Sequence, residues 1–134
     1  MSSENNSKNT EEYYKNKLDP DQYAVLRKCE TEAPFSGTLL NNEEDGVYLC
    51  AACDVELFSS EHKFDSGTGW PSFYEVKNKN NIQLREDRSK NLRRVEILCA
   101  NCQSHLGHVF NDAPQTPTGI RFCVNSLALN FKID

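Results

Sequence analysis

Four of the six cysteines stand in two Cys-x-x-Cys pairs, Cys50–Cys53 and Cys99–Cys102. Cys123 stands alone in Arg121-Phe122-Cys123-Val124-Asn125. The two pairs supply four soft thiolates, which saturate tetrahedral Zn²⁺ and leave no coordination position open for chemistry. The pairs flank residues 54–98, so one structural ion would clip distant parts of the chain together, and its binding energy would be folding energy. Free thiols, three disulfides of a secreted protein, or iron in place of zinc remain open readings of the same residues.

Cys123 is a candidate nucleophile. Attack requires a thiolate, hence a lowered pKa. Arg121 and Asn125 lie two residues to either side, on the same face of an extended strand, as a charge and an amide able to stabilise it. His105 and His108 lie upstream, three apart as on one turn or knuckle, and are candidate proton donors. Each residue also has a plainer reading: a buried structural cysteine, and core or surface histidines with their bonds satisfied. Trp70 is the single tryptophan, in Ser66-Gly67-Thr68-Gly69-Trp70-Pro71-Ser72-Phe73. It is either a core plug or a ligand wall, and its indole suits a small polarisable group such as a methyl beside sulfur.

The elements that must position these residues are mostly strands. Asp19 is a good N-cap and Pro20 suits the first turn, so residues 18–28 read as a short helix with Tyr23, Leu26 and Ala24 inward. Gly46–Cys50 and Val55–Phe58 read as strands around the first knuckle. The Gly- and Pro-rich residues 63–75 read as a loop before a strand at Phe73–Val76. Residues 82–85 and 93–99 read as a hairpin, His108–Phe110 as a short strand, and 111–119 as a loop. Ile120–Asn125 and Leu127–Ile133 close the chain as strands. The two knuckles are the sole internal repeat.

Length and charge narrow the function. The chain has 134 residues, enough for one domain. Residues 1–17 are polar, and they read as a flexible tail before a single working domain at 18–134. No segment reads as a secretory signal, transit peptide or membrane span, so the expectation is a cytoplasmic protein with no membrane partner. The formal charge of −5 argues against nucleic acid. Arg85, Arg88, Lys90, Arg93 and Arg94 do cluster, but Glu86, Asp87 and Glu96 interrupt them, as on a solvated hairpin.

Over residues 18–131 the chain closely resembles the B-class methionine-R-sulfoxide reductases. The resemblance is carried by Gln22–Arg27, Thr31-Glu32-Ala33-Pro34-Phe35-Ser36-Gly37, Lys63–Phe73, Cys99–Cys102, His105–Phe110 and Pro117–Leu129, in order and spacing. It implies a mainly β fold of two small twisted antiparallel sheets, with a short N-terminal helix and a four-cysteine zinc clip, holding one structural Zn²⁺ per chain opposite the active site. It implies that Cys123 attacks the sulfoxide sulfur, with Trp70 against the S-methyl group and Phe110 in the substrate-binding wall. His105, His108 and Asn125 would bind and protonate the oxygen, and Arg121 and Asp112 would support the site. The products would be methionine and a Cys123 sulfenic acid, which condenses with a second thiol. Oxidised proteins or peptides would be the substrates and thioredoxin the reductant of a monomeric enzyme.

The chain departs from that pattern at Thr68, where many members carry the resolving cysteine. The resolving role therefore passes in expectation to Cys29, through a Cys29–Cys123 disulfide that thioredoxin reduces. The alternative is direct reduction of the sulfenic acid by a small thiol or glutaredoxin. Ala113 and Phe122 replace the family's common Gly and Tyr. Two further readings of the whole chain stand beside the reductase: a zinc-clipped β module that binds a protein partner, and a nucleic-acid zinc ribbon.

Overall fold

Two short helices precede the sheets, α1 (Glu11–Lys17) and α2 (Pro20–Lys28), in a computed structural model that describes residues 11–134 apart from the Lys90 side chain. Helix α2 begins where the sequence places it, with the Asp19 N–H donating to Gln22 Oε1 at 3.2 Å. It buries Val25 and Leu26, while Tyr23 and Ala24 are only half-buried. Cys29 caps it in the left-handed conformation, φ 59°.

Helix α1 corrects the expectation of a tail over its own residues; residues 1–10 lie outside the described part. Seven residues cannot hold a helix unaided, so the support is tertiary. Tyr14 is buried, the Arg27 guanidinium lies 4.5 Å over its ring, and Arg27 also pairs with Glu11. Lys17 Nζ donates to Ala52 O inside the first cysteine knuckle at 2.7 Å.

The strands are β1 (Gly46–Cys50), β2 (Glu56–Ser59), β3 (Lys63–Phe64), β4 (Ser72–Phe73), β5 (Ile82–Asp87), β6 (Arg94–Cys99), β7 (His105–Ala113), β8 (Gly119–Val124) and β9 (Leu129–Ile133). They form two antiparallel sheets, β2-β1-β9 and β3-β4-β8-β7-β6-β5. The fold is thus mainly β, as expected. The strand expected at Phe73–Val76 shrinks to β4, β7 runs longer than expected, and Asn125 falls just beyond β8. Phe73 of the larger sheet stacks on Phe58 of the smaller at 4.4 Å between ring centroids, and Tyr48 meets Phe73 edge-on at 5.0 Å. This aromatic stack joins the sheets, and truncating Phe73 to Ala should cost roughly 3–5 kcal/mol. Among the described residues no helix is long and apolar enough to cross a membrane.

Two irregularities in β7 decide where side chains point. The register passes from Ile97↔Gly107 to Leu98↔His105, so β7 carries one extra residue there. Alternation along a strand would put His105 and His108 on opposite faces. The bulge restores a common face, and their rings lie 5.4 Å apart. A second bulge separates Phe110↔Arg121 from Ala113↔Gly119. Here Arg121 meets both the Phe110 ring, at 4.3 Å, and the Asp112 carboxylate.

Candidate active site and metal centre

The two cysteine pairs sit on matching turns. After Cys50 the Asp54 N–H returns to Cys50 O at 2.8 Å, and after Cys99 the Gln103 N–H returns to Cys99 O, also at 2.8 Å. Asp54 and Gln103 both adopt positive φ, 67° and 63°. The turns bring the four sulfurs within 4.8 Å of one another. Cys50 and Cys102 are 3.7 Å apart, Cys53 and Cys99 3.5 Å. A tetrahedral ion with metal–sulfur bonds of ~2.3 Å requires sulfur–sulfur separations of ~3.8 Å, so these residues fit a metal ion. The turns close on α1 and α2, with Arg27 Nη1 donating to Cys102 O at 2.7 Å and to Ser104 Oγ at 3.1 Å.

Cys123 lies in the six-stranded sheet, between Ser72 on β4 and His108 on β7, its register partners. It opens on a cavity of about 220 Å³ whose wall also carries Trp70, His108, Phe110, Arg121 and Asn125. Burial pushes the Cys123 thiol up. Arg121 and the Thr68 hydroxyl draw it back, and Glu32 adds to the rise. The shift is thus upward, opposite to the lowering that attack by the thiol requires. Thr68 Oγ1 lies 4.0 Å from Cys123 Sγ and 2.8 Å from Ser66 Oγ, which in turn lies 2.7 Å from Ser72 Oγ. A chain of hydroxyls thus ends at the thiol.

The supporting bonds are specific. Asp112 grips Arg121 with two bonds of 3.0 Å, to Nε and Nη2, but is not on the cavity wall. Asn125 is buried. Its Nδ2 donates to Leu106 O at 3.0 Å, and its Oδ1 accepts from the Glu32 N–H at 3.1 Å. Trp70 Nε1 donates to Glu32 O at 3.0 Å. Glu32 Oε1 accepts from the Leu127 N–H at 2.8 Å. Glu32 therefore fixes both the indole and the amide. Sequence reasoning gave it no role beyond its place in a matched stretch, because the bonds to Trp70 and Asn125 come from its backbone, which residue type does not reveal. Thr31 and Arg94 also line the cavity and were likewise not singled out.

His108 Nε2 lies 2.8 Å from Asp87 Oδ2, and this bond holds the Asp87 carboxyl well below the usual carboxylate range. His105 is off the cavity wall. Its Nδ1 lies 2.7 Å from Glu96 Oε2, its Nε2 has no partner, and burial lowers its pKa. The bond to Glu96 opposes that lowering. Cys29 is exposed, with Sγ 3.9 Å from Glu96 Oε2, and is also off the wall. Burial of its thiol, then Glu96, raises its pKa. Cys29, Glu96 and His105 bring donor atoms within 4.8 Å, but Arg85 pairs with Glu96 at 2.9 Å and sets a positive charge against any cation there. Glu96, His108 and Cys123 are successive register partners across β6, β7 and β8. Two inter-strand steps of ~4.8 Å therefore separate the strand beneath Cys29 from the strand of Cys123.

A family model described as "SelR domain" matches residues 18–133. The chain is similar to the peptide methionine sulfoxide reductase MsrB of Methanosarcina barkeri, 57% identical over 125 residues, which span 93% of this chain and 87% of that protein. The protein of the same name from Methanosarcina mazei is 54% identical over 128 residues, 96% of this chain and 91% of that one. The Leifsonia xyli protein is 52% identical over 123 residues, 92% and 88%.

Proposed function

This chain belongs to the SelR-domain family of peptide methionine sulfoxide reductases, and from that premise we propose that it reduces the R epimer of methionine sulfoxide in oxidised proteins and peptides. The observation that carries the reading is the shared cavity. A thiol, an indole, an imidazole, an amide and a guanidinium meet on one wall, which is what a polar S=O group beside a methyl requires.

The Cys123 proton passes to His108 as substrate enters, and Arg121 and Thr68 stabilise the thiolate. Sγ attacks the sulfoxide sulfur while Trp70 and Phe110 hold the methyl group. His108 delivers a proton to the oxygen, with Asp87 orienting the ring. Asn125 supplies its remaining N–H to the same oxygen. His105, held by Glu96, backs His108 from behind the wall. The oxygen passes to Sγ as hydroxyl and methionine leaves, so thiolate, proton and sulfoxide become sulfenic acid and thioether. The Cys29 thiol then condenses with the sulfenic acid to give a Cys29–Cys123 disulfide and water, and thioredoxin restores both thiols. Because bridged Cα atoms lie within ~7 Å, the turn carrying Cys29 moves inward for this step. The exposure of Cys29 away from the cavity favours one second reading, reduction of the sulfenic acid by a small thiol or glutaredoxin. Zn²⁺ on Cys50, Cys53, Cys99 and Cys102 supplies fold stability and no chemistry. The protein acts as a monomer in the cytoplasm, whose reducing poise keeps six thiols reduced.

Trapping tests this directly. Reduced protein receives one equivalent of peptide methionine-R-sulfoxide without reductant, then dimedone, then peptide mass spectrometry. The account expects a Cys29–Cys123 disulfide in the wild type and a Cys123 dimedone adduct in Cys29→Ser. A Cys123 adduct with no disulfide in the wild type would move resolution to an external thiol. Unmodified Cys123 in both proteins would overturn the reading.

A further inference from the structure

Trp70 is the wall between two concavities. One holds Cys123. The other, which shares Trp70 as a lining residue, is a groove of about 510 Å³ whose lining does not include Cys123. Its rim carries four carboxylates, Glu43, Glu44, Asp45 and Asp65, all exposed. None of the four makes an ion pair among the described residues. Among the described residues Lys63 is the one basic residue on this wall; its Nζ donates to Leu40 O at 2.7 Å and its charge offsets part of that of Asp65 and Glu43. Four carboxylates against one ammonium leave the groove net negative.

It also presents an aromatic ring. Phe35 is 70% exposed and sits at φ 65°, a backbone conformation bulky residues rarely adopt. The surroundings enforce it. The Phe35 N–H donates to Gly69 O at 2.7 Å, and a Cβ at Gly69 would meet Pro34 at 2.7 Å and Phe35 at 2.9 Å. The turn is thus locked onto the loop that carries Trp70, with the Phe35 ring held at the groove beside the acids. An exposed aromatic ring in the same groove as four carboxylates is a receptor for Lys or Arg side chains, by cation–π contact and charge pairing.

We propose that this groove binds the polypeptide flanking the oxidised methionine and selects flanks rich in Lys and Arg. The proposal rests on the reductase reading for its substrate: a chain whose sulfoxide enters beside Trp70 reaches the groove across the residue the two concavities share.

The test uses two matched peptides, one with Lys at the flanking positions and one with Glu, and neither with an aromatic residue. Trp70 is the protein's single tryptophan and lines both concavities, so its fluorescence reads binding of the unoxidised peptides independently of turnover, and the groove variants below assign the signal to the groove. The Lys peptide should bind at least tenfold tighter than the Glu peptide at low salt, with the gap closing as salt is raised. Glu43→Gln with Glu44→Gln should flatten the preference, while the equal charge change Glu56→Gln with Glu75→Gln, outside the groove, leaves it. With the sulfoxide peptides, kcat/KM should follow the same order, and a blocked methionine sulfoxide lacking flanks should be turned over equally by all three proteins. Equal affinity for the two peptides, or equal loss of preference in both double variants, overturns the groove proposal. Failure to reduce the blocked sulfoxide overturns the reductase reading instead, and the fluorescence result still decides the groove.

Discussion

Gly107 is the position where adding one methyl group does most harm to the catalytic geometry. It lies on β7 opposite Val124 and beside His108. A Cβ there would sit 1.9 Å from Cys123 O, 2.9 Å from Cys123 C and 3.0 Å from Val124 Cα. All three neighbours are backbone, so no side chain can swing aside. Ordinary contact begins at 3.4 Å, so Gly107→Ala must part β7 from β8 by roughly 1.5 Å at the nucleophile itself, and a 1 Å misplacement can already cost about 100-fold in rate. Overpacking of about 1–3 kcal/mol, with about one strained ladder hydrogen bond worth ~1 kcal/mol, sets a stability loss of about 2–4 kcal/mol. Urea unfolding measures the second quantity and sulfoxide reduction with dithiothreitol the first. The account expects a lowered urea midpoint and at least a 100-fold loss in kcat/KM in protein that still binds metal. A variant with the wild-type midpoint and activity within threefold would refute the claim that the β7–β8 separation sets the position of Cys123.

The remaining predictions concern charge and metal. Since burial holds the Cys123 thiol above its ordinary value and Thr68 and Arg121 oppose that rise, alkylation of Cys123 by iodoacetamide should be slower at pH 7.5 than that of a solvated thiol with pKa ~8.5 and should climb as pH is raised. Thr68→Val should shift this profile to higher pH and Thr68→Ser restore it; superimposed profiles would remove Thr68 from the mechanism. Asp87, Asp112 and Glu11 are each held below their ordinary values by a bonded partner, His108, Arg121 and Arg27 respectively. Depressed carboxyls contribute stability above the ordinary carboxylate range and lose it as pH falls through and below ~4, so the urea midpoint should drop from pH 5 to pH 3. A flat midpoint across that window would contradict these pairings. Stripping the metal with a strong chelator should unfold the domain, because structural zinc binding of about 10–16 kcal/mol matches or exceeds a domain's whole stability of about 5–15 kcal/mol. Stripped protein with an unchanged cooperative transition would show that the four cysteines carry no structural metal.

Much of this was legible in the sequence because it is local. The Cys-x-x-Cys pairs, the Asp19-Pro20 helix start and the hairpin at 82–99 each depend on residues close in the chain. The common face of His105 and His108 was legible in outcome and not in cause, since a bulge in β7 produces it and strict alternation would have separated them. Helix α1 was illegible because its composition is polar and its support comes from Arg27 and Ala52. Glu32 was missed for a similar reason. Its bonds to Trp70, Asn125 and Leu127 link three segments that no periodicity connects. The direction of the Cys123 shift also depends on burial by the folded sheet, which the neighbouring Arg121 in the sequence could not reveal.

The most direct measurement of the central claim is reduction of the separated R and S epimers of a blocked methionine sulfoxide with dithiothreitol, by wild type and by Cys123→Ser. The account predicts turnover of the R epimer alone, abolished in the variant while its metal content is retained. Turnover of neither epimer by folded, metal-loaded wild type, or undiminished turnover by Cys123→Ser, would contradict it.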